Sequence, residues 1–479
     1  MNIPNTAVEP QSEAAEPQAL PGADGGRFHG KAAAFLITTL VLAVLSFQLN
    51  ASMITPALPQ IGAFFGETPE AVAQVQSMFF LAGAISGPVI GRWSDFIGRR
   101  TALLVVLAIM SAGTVLCIFA PNLPLLVTGR FMQGVSSAIF ALSYIVLNEY
   151  LPARLFGTSI GIIAAINGGV GGVDGYFGGL MAETLGFQSI FVAVLALAAI
   201  AVVCVLKVVP KGRPATTGRM DWWGAGSLSV FLVFITYFVS TGSSAGWASP
   251  AALGLLAGSI ASFTAFWLIE KKRETPLVAV HHLRSRQVWP VIATTVLTLA
   301  GIFAIINFTV VLLSQDKENG FGFSASLAAL LFLTPAALIG VFAAPLAGWI
   351  ADRRGWIKTV RVGTATSLAC AIVAALFANN QVAVLIAIAA LGIFYNGFFL
   401  TAINGLSVLL SPKEAPAALP GINGASFGIG ASLGVVVVAP FAGQGTAAGY
   451  STALWISVSI TVLAFIVSLF IAAPKGEKI

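Results

Sequence analysis

The stretch of sequence that decides the fold is GRWSDFIGRR, residues Gly91–Arg100, which lies between two long apolar segments. A related stretch, GWIADRRGWIK, occurs at Gly348–Lys358, again between two apolar segments. Each copy places glycine, aspartate and several basic residues in a link that is too short to form a domain. A compact charged link that occurs twice indicates a duplicated protein whose apolar segments cross a membrane.

The composition is that of a protein that crosses the membrane many times. Hydrophobic residues make up 57% of the 479 residues and charged residues only 9%, whereas soluble domains carry about 25% charged residues. A membrane protein needs no charged outer surface, because lipid replaces water around it. With roughly 20 residues for each crossing, we read fourteen helical segments, near residues 33–58, 71–91, 101–120, 124–148, 157–182, 189–208, 224–242, 250–269, 289–313, 326–350, 359–378, 381–409, 418–442 and 450–472.

The basic residues predict how these segments are oriented. With both termini in the cytoplasm, only Lys317 of the 24 Lys and Arg residues falls on the outer side, and only Arg130 falls within a segment. All the others lie in inner loops or tails, as the positive-inside rule requires. The net charge of +6 therefore reports membrane topology, and we expect no nucleic-acid partner.

The two charged links also predict a duplication. The first joins the second and third segments and the other joins the tenth and eleventh, so an offset of eight segments relates two halves. The predicted fold class is all-α integral membrane, with 14 transmembrane helices forming two pseudo-symmetric six-helix bundles plus two inserted helices. The predicted parts are a disordered cytoplasmic tail (1–31), an N-terminal bundle (32–208), a cytoplasmic linker (209–223), an inserted helix pair (224–270), an amphipathic cytoplasmic linker (271–288), a C-terminal bundle (289–472) and a cytoplasmic tail (473–479).

Several classes of function are disfavoured. Three cysteines at unrelated spacings predict neither a disulfide framework nor a zinc site, and His281 and His282 fit an interfacial amphipathic segment better than a metal site. The sequence has no phosphate-binding loop and no recognisable nucleophile–base set. We therefore expect no enzyme activity, no catalytic residues, no metal and no cofactor. A non-transporting membrane receptor or scaffold stays open as an alternative of a different class.

The motifs resemble those of the major facilitator superfamily and, within it, the fourteen-helix drug:proton antiporter branch. Gly91, Asp95, Gly98, Arg99 and Arg100 match the family signature between its second and third helices. The other matching stretches are VTGRFMQG (127–134), LNASMITPALP (49–59), RMDWWG (219–224) and EKKRETPL (270–277). The resemblance implies a monomeric, proton-coupled exporter of small lipophilic or cationic compounds, which works by alternating access in the bacterial plasma membrane and supports multidrug efflux and antibiotic resistance.

Three departures from the branch's pattern leave the direction of transport open. Phe96 stands where the family usually has a basic residue, and Asn50 stands where the branch commonly has an aspartate. The signature of the fifth helix lacks its proline and reads DGYFGG at 174–179. A specific metabolite exporter or a proton-coupled uptake symporter of the same superfamily is therefore the alternative function.

Ionisable groups inside a membrane are costly and mark candidate functional sites. Only Arg130 and Asp174 lie well within the predicted segments, and helical rise places both roughly 10 Å below the outer edge, in one layer with Asn50. We expect Arg130 and Asp174 to interact, directly or through water, with Asn50, Gln133 and Asn167 as a supporting polar layer. A change in their separation would bind or release a proton, the coupling ion. The alternative is a permanent ion pair that only holds helices together.

The twelfth segment carries GIFYNGFFL at Gly392–Leu400, near its middle. An aromatic wall with one amide suits a lipophilic or cationic substrate through apolar and cation–π contacts. The residues assigned to the substrate cavity are Phe394, Tyr395, Asn396, Phe398 and Phe399, with Asn307, Asn404 and Asn423 as weaker candidates. Phenylalanines that face lipid or pack between helices are the alternative.

The charged links are expected to form the inner gate. The gate residues are Gly91, Asp95, Gly98, Arg99 and Arg100 in the first copy, and Asp352 and Arg353 in the second. We expect Asp95 to meet a neighbouring helix N-terminus or an arginine, and so to stabilise the outward-facing state. In the alternative, the arginines only enforce topology.

Overall fold

The computed structural model describes residues 28–169, 174–212, 214, 219–273, 285–323, 325–412 and 415–473. These ranges are helical throughout and contain no strand. Most of the two predicted tails (1–31 and 473–479) and of the amphipathic linker (271–288), with His281 and His282, lies outside the described residues. The side chain of Asn167 also lies outside the described part of the chain.

The helices follow one another closely along the chain, joined by short links. They are α1 (Gly30–Ala57), α2 (Leu58–Phe65), α3 (Pro69–Ile97), α4 (Arg99–Ile118), α5 (Leu123–Tyr150), α6 (Ala153–Gly169), α7 (Asp174–Leu185), α8 (Gln188–Val208), α9 (Trp222–Ala245), α10 (Pro250–Lys272), α11 (Trp289–Gln315), α12 (Ala329–Arg354), α13 (Trp356–Leu376), α14 (Gln381–Leu409), α15 (Ala418–Ala442) and α16 (Ala447–Ser468).

Within the described ranges, 11 helices are long and apolar enough to cross a membrane. Helices α6 and α9 add shorter apolar stretches, Ala153–Ile166 and Trp222–Phe238. Helix α3 is long enough, at 29 residues, but Gln74, Gln76 and Ser77 lower the hydropathy of its first half. In the part of the chain that the structure describes, helices occupy the positions read from the sequence, so the all-helical membrane fold is confirmed, while the count of fourteen stays a prediction.

The two halves of the chain meet through two helix pairs, α6 against α12 and α3 against α15. A Cβ atom added at Gly157 of α6 would lie 2.2 Å from the carbonyl oxygen of Gly348 of α12, and one added at Gly421 of α15 would lie 2.7 Å from that of Gly87 of α3. Only glycine permits backbones to approach this closely. These contacts lie at the ends of the helices next to the charged links, so the protein is closed on that side. The eight-segment offset exchanges the two pairs, as expected of duplicated halves.

The inserted pair, α9 and α10, packs against both halves. The helices contact each other along their length, and α9 also contacts α3 and α15. Met220, just before α9, and Ala225 in its first turn form an apolar cluster with Ala415, just before α15, and Ala418 at its start. Trp93 of α3 packs on this cluster. The rings of Trp93 and Trp222 are 5.9 Å apart. The inserted pair thus spans the closed side of the interface between the halves.

Candidate functional site

The centre of the N-terminal half is Arg130 of α5, which is 0% exposed. Its Nη1 donates to Asn50 Oδ1 at 2.7 Å, to the Asn50 carbonyl at 3.0 Å and to Gln133 Oε1 at 2.9 Å. Its Nε donates to the Val75 carbonyl and its Nη2 to Gln76 Oε1. The guanidinium therefore ties α5 to α1 and α3 through neutral acceptors. The Arg130–Asn50–Gln133 layer expected from the sequence is present.

The local sequence explains why Arg130 is buried. Asn122 caps α5 by accepting from the Leu125 N–H, which starts the helix so that Arg130 and Gln133 share one face. Gly129 lies directly against α4, where an added Cβ would be 2.6 Å from the Cys117 sulfur, and Gly134 lies against the Phe79 carbonyl of α3. These glycines draw three helices together around the guanidinium, which also lies 4.2 Å from the centre of the Phe79 ring.

Asp174 is the buried carboxylate of the same half, with 3% exposure. It accepts a hydrogen bond from the Ser52 hydroxyl of α1, and its Oδ1 has no hydrogen-bond partner among the described residues. Because α7 has 12 residues and begins at Asp174, the carboxylate lies roughly 16 Å from the far end of that helix. Residues 170–173, which precede it in the sequence, lie outside the described part of the chain.

The interaction expected between Arg130 and Asp174, directly or through water, is not a direct ion pair among the described residues in this conformation, and a water-mediated contact stays a prediction. Helix α1 lies between them: Asn50 accepts from Arg130, and Ser52, two residues further on, donates to Asp174. Sequence reasoning missed Ser52 and also Gln76, which bonds both Arg130 and the Ala51 carbonyl. The only available signal for Ser52 was its position on α1 close to Asn50.

The first charged link is held together within its own half. Asp95 is 0% exposed, and its carboxylate forms ion pairs with Arg92 Nη1 at 2.7 Å and Arg99 Nη1 at 2.6 Å. Arg99 also pairs with Glu149 of α5 at 2.8 Å. Gly98 has a φ of 85°, which lets the chain turn directly from α3 into α4. Of the two partners expected for Asp95, the structure shows the arginine.

The second charged link reaches across to the other half. Asp352 Oδ2 accepts at 2.8 Å from the backbone N–H of Gly157, the fifth residue of α6. A carboxylate near a helix N-terminus is favourable because the positive end of the helix dipole lies there. Arg353 does not join this contact and lies 3.8 Å from the Trp349 ring centre. Gly91 faces the Ala417 carbonyl just before α15. The helix N-terminal contact expected of Asp95 is thus made by Asp352.

The aromatic run of α14 divides between two faces. Tyr395 is buried and stacks on Phe399, with ring centres 6.0 Å apart, whereas Phe394 and Phe398 form a second, half-buried pair at 6.3 Å. Residues four apart share one face of a helix, so one continuous wall cannot form. Between the pairs, Asn396 Nδ2 donates to the Ala336 carbonyl of α12 at 3.3 Å. The segment Gly392–Phe399 is a π-helix, a widened turn that is frequent at functional sites.

The remaining asparagines fall into two environments. Asn307 is exposed and bonds only the Phe303 carbonyl of its own helix among the described residues. Asn423 is 1% exposed, accepts from Thr295 Oγ1 at 2.7 Å and donates to Asn404 Oδ1 at 3.1 Å. This series of hydrogen bonds joins α11, α14 and α15. These helices are the counterparts of the three helices that hold Asn50, Arg130 and Asp174. The C-terminal half therefore has a neutral polar brace, which lies near the helix ends on the side of the charged links, whereas Arg130 lies near the opposite end of its helix.

These features define a helical membrane carrier built from two similar halves, with ionisable groups inside one of them. The sequence profile of the Major Facilitator Superfamily matches residues 40–435, and the chain belongs to that family. Its members are transporters rather than enzymes. The fold and family confirm a multi-pass membrane protein of this superfamily.

The comparisons do not confirm the drug:proton antiporter branch. The chain is 32% identical over 460 residues to a uridine/deoxyuridine transporter of Lactococcus lactis subsp. cremoris (strain MG1363), covering 93% of this chain and 95% of that relative. It is 24% identical over 424 residues to the multidrug resistance protein Stp of Mycobacterium tuberculosis, covering 88% and 76%. The fold is similar to the proton:xylose symporter XylE, with a TM-score of 0.62 at 14% identity and coverage of 92% and 95%. It is also similar to the human organic anion transporter MFSD10, with a TM-score of 0.63 at 13% identity and coverage of 91% and 99%.

Proposed function

We propose that this protein is a proton-coupled secondary transporter in which Asp174 takes up and releases the coupling proton. The observation that carries the proposal is the state of this carboxylate, which is buried, bonded to one hydroxyl and otherwise without a partner among the described residues at Oδ1. The proposal is also supported by the neutral acceptors that bond the Arg130 guanidinium, and no ion pair joins it to Asp174 among the described residues. A carboxylate in such a setting is costly when charged.

Helix α1 contacts both ionisable groups of this site. Asn50 and Ser52 of α1 contact Arg130 and Asp174 respectively. A displacement of α7 against α5 changes the distance between guanidinium and carboxylate. Approach of the cation favours the charged carboxylate and separation favours the neutral one. Such a displacement within the N-terminal half, coupled to the rocking of the halves, would take up and release a proton in each cycle.

For the substrate, we propose a small neutral metabolite of the nucleoside class. The similarity to the uridine/deoxyuridine transporter along 93% of this chain supports this choice. Half-buried Phe394 and Phe398 offer ring faces on which a base can stack, and Asn396 and Asn307 offer amides for its polar edge. Import by proton symport is the corresponding direction.

Export of hydrophobic or cationic compounds is the second candidate. The similarity to the multidrug resistance protein Stp along 88% of this chain favours it. The same phenylalanine pair would then bind an apolar or cationic compound through its ring faces. The two candidates differ in the direction of proton movement, which makes them separable in one assay.

The test uses purified protein in proteoliposomes with an imposed pH gradient and a panel of uridine, deoxyuridine and a lipophilic cation. Internal pH and substrate are followed together. Proton and uridine movement in the same direction supports the proposal, and opposed movement with the cation supports the second candidate. No transport of any compound would favour a receptor or scaffold.

The matched variants are Asp174→Asn and Glu183→Gln. Both remove one carboxylate from α7, but Glu183 is exposed near its far end. We expect Asp174→Asn to abolish transport driven by the pH gradient while equilibrium exchange of substrate continues, and Glu183→Gln to behave as the parent. Full gradient-driven transport by Asp174→Asn would remove the coupling role.

A further inference from the structure

A cavity of about 410 Å³ lies on the side of the protein that carries the charged links, between the start of α4 and the end of α8. Its lining residues are Gly98, Arg100, Thr101, Leu104, Leu206, Lys211 and Gly212. It belongs to the peripheral surface of the N-terminal half, away from Arg130, Asp174 and the contacts between the halves. Gly98 and Arg100 also belong to the first charged link, which is expected to form the inner gate, but the proton and substrate sites proposed above do not include this cavity.

The polar wall of this cavity is basic. Arg100 and Lys211 bring two positive charges to one space, Thr101 adds a hydroxyl, and no acidic side chain is among the lining residues that the structure describes. Arg100 Nη2 donates to the Leu206 carbonyl, which fixes the guanidinium at the end of α8 and leaves its other N–H groups available. Lys211 is exposed and forms no ion pair with the described residues. Two adjacent cations without a counter-charge favour an anionic ligand.

The other wall of the cavity is apolar and continues into the lipid-facing surface. Leu206 is 46% exposed, and Val203, one turn earlier on α8, is 48% exposed. The cavity lies where α4 begins and α8 ends, at the level where membrane-crossing segments reach the water interface. A ligand that fits both walls has a negatively charged head and an apolar tail.

We propose that this cavity binds the phosphate headgroup of an anionic phospholipid in the membrane leaflet on the side of the charged links. Basic pockets between transmembrane helices on the cytoplasmic side are suited to such headgroups, and the predicted orientation places this cavity there. The phosphate lies between Arg100 and Lys211, and one acyl chain follows Leu206 and Val203. Free inorganic phosphate shares the headgroup's charge but not its tail, so the two sources are separable by experiment.

The test is native mass spectrometry of the full-length protein in neutral detergent. The protein is titrated with phosphatidylglycerol and with phosphatidylcholine of the same acyl chains, and inorganic phosphate is added as a competitor. The variants are Lys211→Ala and the double variant Arg100→Ala/Lys211→Ala. The matched control is Lys207→Ala/Arg354→Ala, which removes two exposed basic residues on the same side of the protein that do not line the cavity.

We expect the parent protein to retain phosphatidylglycerol over phosphatidylcholine. Each basic side chain near a lipid phosphate accounts for about a fivefold change in affinity, so Lys211→Ala weakens binding about fivefold and the double variant about 25-fold. The control variant keeps the parent affinity. Equal retention of the two lipids by the parent, or parent-like affinity in the double variant, would overturn the proposal. Displacement of the lipid by millimolar phosphate would overturn the lipid assignment.

Discussion

Gly157 and Gly348 form one of the two glycine contacts that close the protein, and an added methyl group at either should force α6 and α12 apart. In Gly157→Ala the new Cβ would lie 2.2 Å from the Gly348 carbonyl oxygen and 2.5 Å from Asp352 Oδ2. In Gly348→Ala it would lie 1.8 Å from the Gly157 carbonyl oxygen. Backbone atoms of two packed helices cannot rotate away as a side chain can, so α6 and α12 must separate by about 1 Å to restore a contact near 3.3 Å.

The size of the effect follows from the cost of overpacking. Extra methyl groups in a tightly packed interior cost about 1–3 kcal/mol, and about 1.4 kcal/mol is a tenfold change in an equilibrium. Because the overlap exists only while α6 and α12 touch, this cost raises the energy of the closed state relative to a state in which they have parted. We expect either alanine variant to lower the ratio of closed to open protein by about 5- to 150-fold.

The assay is a distance measurement between spin labels by electron spin resonance. Labels are placed at Arg154 of α6 and Arg354 of α12, both exposed near the contact, after Cys117, Cys204 and Cys370 have been replaced. The parent protein should show a short distance and the alanine variants a longer one. The control is Gly254→Ala in α10, where an added Cβ meets no atom within 4 Å. A distance distribution in Gly157→Ala that matches both the parent and this control would refute the reasoning.

Three further predictions concern the polar contacts. Asp95→Asn removes the buried carboxylate that forms ion pairs with Arg92 and Arg99, and this loss should cost about 3–5 kcal/mol of stability, seen as a lower thermal midpoint. Asp352→Asn should keep the parent's midpoint and shift the closed-to-open ratio about fivefold; equal midpoints of the two variants would contradict this division. Arg130→Lys keeps the charge, but a lysine cannot donate to Val75, Asn50 and Gln76 at the same time, as the guanidinium does, so transport should fall at least tenfold. Parent-like transport would show that charge alone suffices. Asp316 accepts from the backbone N–H groups of Asn319 and Glu318 and from the Tyr450 hydroxyl, and these bonds hold its pKa below its usual range. The stabilisation of this outer loop by the charged carboxylate is therefore full at neutral pH and is lost only as the pH falls through that lowered pKa. Amide exchange at Asn319, corrected for intrinsic rate, should show this loss in the parent and no such dependence in Asp316→Asn.

The positions of the helices could be predicted from the sequence because charge and hydropathy act locally, whereas the side of the membrane on which the termini lie stays a prediction. The charged links mark helix ends wherever they occur, and a span needs only enough apolar residues. Arg130 and Asn50 were placed together correctly, since each lies at a depth that helical rise determines. The duplication could be proposed because both links occur at matching positions.

Contacts between side chains of different helices could not be predicted in the same way. The depth of a residue in the membrane does not fix the rotation of its helix about the helix axis. Arg130 and Asp174 are therefore predicted in one layer, yet they bond different residues of α1. The two links look alike, yet Asp95 pairs with its own arginines and Asp352 crosses to α6. That difference depends on where glycines such as Gly157 let another helix approach. The aromatic run of α14 divides between two faces for a reason the sequence contained, the four-residue spacing of its rings.

The depth of Asp174 has an electrical consequence. The last turn of α7 carries the exposed Glu183, so Asp174, roughly 16 Å from the far end of the helix, lies roughly 10 Å inside a hydrocarbon layer of about 30 Å. A proton that reaches it from the outer surface crosses about a third of the transmembrane voltage, worth about 0.8 kcal/mol for each 100 mV. If Asp174 carries the proton, an interior-negative voltage of about 100 mV alone would raise its occupancy roughly fourfold, even with equal pH on both sides. The membrane potential would then drive this transporter as directly as the proton concentration does.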